Sequence, residues 1–159
     1  MNRIIVAFLL ILSISASSLA QSINKAQKQM DKFNYSRAAE ILRRAVEDEK
    51  LKPEALPLLA ECYRQQRDLV KSRAAYAQVV ALPNVEPTAF FYYAQALQAT
   101  GEYGKAREMY LKFAEKEPND KRGKLFASHC DSVLTAWQTK KSGYEIQAVE
   151  NINTSQSDF

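Results

Sequence analysis

From Gln21 onward the apolar residues return at helical spacing, in stretches of about a dozen positions separated by short polar breaks. The clearest stretch carries Phe90, Tyr93, Ala94 and Leu97, breaks at Gly101-Glu102-Tyr103, and resumes with Ala106, Tyr110, Phe113 and Pro118. Two helices joined by a tight turn are predicted. The same order precedes it in Leu56, Leu59, Ala60 and Tyr63, followed by Leu69, Ser72, Tyr76 and Val79. The two stretches lie 34 residues apart, and the interval recurs: Pro53 returns as Pro87, Ala26 as Ala60 and Ala94, Tyr63 as Leu97, and Leu42 as Tyr76 and Tyr110. Tyr35, Leu69 and Tyr103 share a register, as do the apolar Ala45, Val79 and Phe113. Units are therefore expected at about Leu19 to Lys52, Pro53 to Glu86 and Pro87 to Asp120, with Asn84 and Pro118 where a turn closes a unit. The first is the weakest, since Gln29 replaces a large apolar residue and Lys50 stands where Pro is expected. Degenerate terminal units are common in stacked arrays.

A lone helical hairpin cannot bury its apolar stripe, whereas stacked hairpins share one core. Small residues at Ala60 and Ala94 on the first helices, and at Ala38, Ser72 and Ala106 on the second, let the helices approach closely. A bulky residue at Ala94 should overpack the array by about 1 to 3 kcal/mol. After Pro118, Asn119 or Asp120 can cap a further helix over residues 121–141, ending before Gly143. Its stripe is Phe126, Cys130, Val133 and Trp137. Lys124 and Asp131 fall where a fourth unit would want apolar residues, so this helix reads as a cap. In the final segment, 142–159, Tyr144, Ile146 and Ala148 alternate with polar residues as a strand would, which suggests the start of a following domain.

Residues 1–20 stand apart. Arg3 precedes an apolar run from Ile4 to Leu12 and a small-residue stretch ending Ser18-Leu19-Ala20, the pattern of a secretory signal peptide. The run has nine residues, well short of the roughly twenty a spanning helix needs. Export to the periplasm is the expectation, with no lipid-attachment cysteine at Gln21. Composition agrees with a helical reading for the rest. Only four Gly and five Pro punctuate the chain, too few for a sandwich or barrel. Losing Arg3 leaves 21 basic against 18 acidic residues, a net charge of about +3. Arg43 and Arg44 lie among Glu40, Glu47 and Asp48, so solvated helix faces are expected rather than a nucleic-acid stripe.

Little in the chain suggests chemistry. The single histidine, His129, has Leu125, Phe126, Ser132 and Val133 at helical spacing and no acid to orient it. Cys62 and Cys130 form neither a CxxC nor a metal cluster. They are 68 residues apart, two full intervals, which places them on first-type helices too distant for a bridge. Two free, largely buried thiols are expected. No catalytic residue, metal, cofactor or small-molecule substrate is assigned. Pairs such as Glu61 with Arg64 and Glu102 with Lys105 read as ordinary surface pairs.

The 34-residue spacing, with its large, small and terminal Pro positions, resembles the tetratricopeptide repeat, which implies an all-α solenoid of about three hairpins plus a capping helix. The resemblance also implies a groove lined by the first helices. Its positions fall here on Gln27, Asp31, Glu61, Arg64, Gln65, Phe91, Gln95, Gln98 and His129. Phe91, pointing away from Phe90 and Tyr93, would anchor a peptide, and Arg64 would meet a carboxylate. The signal-like start, the repeats, Ser128-His129-Cys130-Asp131 and the ending Asn151 to Phe159 also resemble bacterial envelope proteins in which repeats precede a β-propeller and an OmpA-like domain, some of them associated with type IX secretion. That resemblance implies a non-catalytic periplasmic scaffold for envelope proteins or peptides, with outer-membrane contact indirect or through further domains. The alternatives are a substrate clamp for an envelope enzyme whose catalytic part lies beyond residue 159, or a free-standing outer-membrane assembly factor.

Overall fold

A computed structural model describes residues 21–139. The signal-like stretch, the alternating residues after Gly143 and the last two positions expected in the cap lie outside that range. Seven helices fill it: α1 (residues 21–30), α2 (Tyr35–Ala45), α3 (Lys52–Gln65), α4 (Leu69–Val79), α5 (Pro87–Ala99), α6 (Tyr103–Lys116) and α7 (Arg122–Thr139). No strand occurs among the described residues. From α2 onward each helix packs on the next in chain order. The chain is an all-α solenoid of hairpins, as the spacing predicts.

The turn inside each hairpin has one design, used three times. Phe33, Arg67 and Gly101 occupy one register and take positive φ of 57°, 56° and 82°. Each closes the preceding helix with paired backbone bonds, for instance Gly101 N–H to Gln98 O at 3.0 Å and Glu102 N–H to Leu97 O at 2.9 Å. This reversal satisfies carbonyls that a helix end would otherwise leave open, and it favours glycine at the left-handed position. Only the third hairpin has glycine there. The next residue starts the following helix: Asn34 Oδ1 accepts from the Arg37 amide at 3.3 Å, and Asp68 Oδ1 from the Lys71 amide at 3.0 Å. Glu102, in the same register, does not cap with its side chain and pairs instead with Arg73 and Lys105.

Three apolar clusters follow one another along the stack. Ile23, Ala26, Leu42, Leu59 and Cys62 join α1, α2 and α3. Leu56, Ala60, Tyr76, Val79 and Ala89 join α3, α4 and α5. Phe90, Ala94, Tyr110, Phe113, Ala127 and Cys130 join α5, α6 and α7. Ala26, Ala38, Ala60, Ala94 and Ala106 are wholly buried, and Ser72 nearly so. The small residues thus sit at the helix crossings, where close approach requires them. Cys62 and Cys130 are free and buried. Burial first, then the charge of Glu61, pushes the Cys62 thiol up to about 11.

The last helix packs on α6 through Gly123. A Cβ there would lie 2.8 Å from Ala114 Cβ and 2.9 Å from the Tyr110 carbonyl oxygen. Arg107 and Asp131 pair across the same two helices at 2.6 Å, with the Nε–H directed off the oxygen. Lys124, Ser128 and Asp131 are exposed, because no described helix follows to cover that side of α7. The predicted stripe is graded: Cys130 is buried, Phe126 and Val133 half-buried, and Trp137 59% exposed against the edge of Tyr103.

Candidate functional site

The first helices α3 and α5 share a face with two recesses in it. One, of about 300 Å³, lies between the amino-terminal halves of α3 and α5, above the end of α4, and includes Pro57, Glu61, Val85, Glu86 and Tyr92. The second, of about 200 Å³, lies toward the ends of the same helices and includes Arg64, Arg67, Tyr92 and Gln95. Tyr92 borders both. Arg64 reaches across to it, with its guanidinium carbon 4.3 Å from the ring centroid, so a cation–aromatic bridge divides the face.

That bridge is held from below. Arg64 donates from Nε and Nη2 to the two oxygens of Glu61 at 2.7 and 2.6 Å, the forked geometry that suits a guanidinium and a carboxylate. Glu61 also accepts from Gln65 Nε2 at 2.7 Å and from the Tyr76 hydroxyl at 3.1 Å. Burial by itself would raise the Glu61 carboxyl, but the bonds from Arg64, Gln65 and Tyr76 and the Arg64 charge outweigh it and hold the group below the ordinary range. Burial and the neighbouring Glu61 charge push the Tyr76 hydroxyl up, and the hydrogen bond to Glu61 raises Arg64. Glu61 and Arg64 therefore form a closed ionic unit more than a loose surface pair.

The structure brings some of the predicted groove residues together and separates others. Glu61, Arg64 and Gln65 form one network, and Gln95 lies beside Arg64 in the second recess. Gln98 accepts from the Tyr110 hydroxyl at 2.8 Å and shares a wider hollow with Gln95 and Phe126. Gln27 and Asp31 on the first hairpin, and His129 on α7, are exposed and line neither divided recess. Phe91 is a correction. It is 5% exposed and packs against Tyr110, Phe113 and Phe126 with ring centroids 5.5, 5.1 and 5.6 Å away. Arg122 covers it at 4.9 Å. The start of α7 lies over this position of α5, so Phe91 is core and offers no anchor. Arg64 lines the second recess with its Nε and Nη2 already bonded to Glu61.

Sequence reasoning missed Tyr92, Pro57 and Glu86. Tyr92 adjoins the Phe90 and Tyr93 stripe and shares its composition, so nothing local marks it as the ring that borders both recesses. Pro57 did carry a signal, since proline inside a helical pattern marks a broken hydrogen-bond ladder. Among the described residues, no group of three or more His, Cys, Asp or Glu could hold a metal ion, and no helix is long and apolar enough to cross a membrane.

Comparisons with known proteins agree with this architecture. Residues 88–120 match the tetratricopeptide repeat family. No curated protein matches the chain. Among solved structures, the chain is similar to the C-terminal TPR-containing domain of an FK506-binding protein from Plasmodium falciparum, at 17% identity and a TM-score of 0.67, covering 78% of this chain and 93% of that one. The first TPR domain of Spaghetti (RPAP3), solved with the HSP90 peptide SRMEEVD, aligns at 17% identity and a TM-score of 0.65, over 74% of this chain and 93% of that one. The Yersinia enterocolitica type III secretion chaperone SycD, solved with a peptide of the translocator YopD, aligns at 20% identity and a TM-score of 0.60, over 79% and 95%. At these identities the likeness is one of fold.

Proposed function

We propose that this chain, which carries a tetratricopeptide repeat within an array of such hairpins, is a non-catalytic scaffold that binds a partner polypeptide on the face of its first helices. The observation that carries the reading is the divided face between α3 and α5, where two recesses flank a rigid Arg64–Tyr92 bridge. Such a surface offers apolar hollows, fixed charge and amide groups to an extended or helical segment, which is what peptide recognition requires. Two structures of the same fold were solved with peptides, which adds support.

The finer reading is a periplasmic scaffold that assembles or tethers outer-membrane or secretion components. It rests on the signal-like residues 1–20 and on the resemblance of the repeats, cap and tail to envelope proteins with OmpA-like domains. The test places a photo-crosslinking residue at Gln95, and at the exposed Gln78 on α4 as a control, in cells fractionated before analysis. Expected are periplasmic recovery and a discrete envelope adduct from Gln95 only, lost when Arg64 and Tyr92 are both changed to Ala. Equal adducts from both positions would overturn the groove reading, and cytoplasmic recovery would overturn the export reading.

A further inference from the structure

The first recess is chemically one-sided. The charged residues on its lining are Glu61 and Glu86, and the one cation at its edge among the described residues, Arg64, is held against Tyr92 and bonded to Glu61. Glu61 is committed to Arg64, Gln65 and Tyr76. Glu86 differs: it precedes α5, does not cap the helix with its side chain, and makes no ion pair among the described residues. The opposite wall is formed by α3. Pro57 is inside α3 and has no N–H, so the carbonyl of Pro53 lacks its usual helical donor, and both prolines line the recess. Between the Glu86 carboxylate and the α3 wall lie Pro57, Val85 and the ring of Tyr92.

We propose that this recess is a specificity pocket for a single lysine or arginine side chain of the partner polypeptide. The aliphatic stem would lie along Pro57, Val85 and Tyr92, while the cationic head meets the Glu86 carboxylate. Long basic side chains suit such a site because their methylene stems bury on apolar surface while the head stays at a polar rim. The volume of about 300 Å³ accepts one such chain. The inference deepens the peptide-binding reading and depends on it: the face as a whole binds a segment, and this recess selects a basic residue within that segment.

The test follows backbone amide resonances of the purified protein during titration with the blocked pentapeptide Ala-Ala-Lys-Ala-Ala and its versions with arginine, norleucine or glutamate at the centre. Lysine and arginine peptides should shift Val85, Ala89 and Tyr92, and bind about threefold or more tighter than norleucine at low salt, the scale of an exposed ion pair. Raising the salt should shrink that preference. Glu86→Gln, an exposed change that leaves the fold intact, should abolish the preference while norleucine still binds. Equal binding of lysine and norleucine, tighter binding of glutamate, or no shift at these residues would overturn the pocket. The crosslinking result from Gln95 stands independently of all three outcomes, so a failed pocket is distinguishable from a failed groove.

Discussion

Glu61 shows how one side chain ties stability to pH. Its folded-state value lies below the ordinary carboxylate value, so its contribution is present above that ordinary value, 4.5, and is lost as the pH falls through the lowered folded one. Glu61→Gln removes the charge that Arg64 grips. Urea unfolding at pH 7 should show a loss of about 1 kcal/mol, and the gap between variant and parent should close as the pH falls through the lowered folded value. A gap that stays constant with pH would mean the effect is packing alone. The left-handed turn positions give a second residue-scale prediction. A Cβ on Gly101 would meet nothing within 4 Å, so Gly101→Ala tests backbone conformation without a clash. It should lower stability by about 1 kcal/mol, whereas Arg67→Gly should raise it by a smaller amount, since glycine also loses more freedom on folding. Denaturant midpoints measure both. These positions were readable only in part from the sequence: Gly101 announces its turn, while Phe33 and Arg67 take the same geometry because the 34-residue register imposes it on residues that do not prefer it.

At the scale of elements, the packing of α7 on α6 turns on a missing Cβ. Replacing glycine by alanine in a helix interior ordinarily stabilises, by roughly 1 kcal/mol. At Gly123 the new methyl would strike Ala114 and the Tyr110 carbonyl, backbone and Cβ atoms that cannot swing aside. Gly123→Ala should therefore destabilise by about 1 to 3 kcal/mol and shift the emission of Trp137, the single tryptophan, which rests on Tyr103. A more stable variant with unchanged emission would refute the account. Helix positions were legible in the chain, from the apolar period and the prolines at the starts of α3 and α5, whereas the capping by Asn34 and Asp68 emerged with the structure. The fate of a given face was not. Pro57, Phe91 and Leu125 share one register, yet Pro57 is half-buried, Phe91 buried and Leu125 66% exposed.

At the scale of the whole molecule, three apolar clusters follow one another, and the thiols report on the first and the last of them. Cys62 and Cys130 are fully buried, and burial raises both above the ordinary thiol value. An aromatic disulfide reagent at pH 8 should label neither in the folded protein and both in denaturant. Rapid labelling of one thiol under native conditions would show that its end of the stack opens independently. The repeat interval, the hairpin order, the small residues at crossings and the two buried thiols follow from the sequence alone, because each depends on a local period that recurs at a constant separation. Which aromatic of the Phe91-Tyr92 pair faces the recesses, the capture of Arg64 by Glu61, and the one-sided chemistry beneath Pro57 and Glu86 were decided by tertiary structure. Those outcomes depend on how α7 settles over α5 and how α3 meets α5 across the face, and contacts between helices so far apart in the chain leave no mark in the spacing of residues along any one of them.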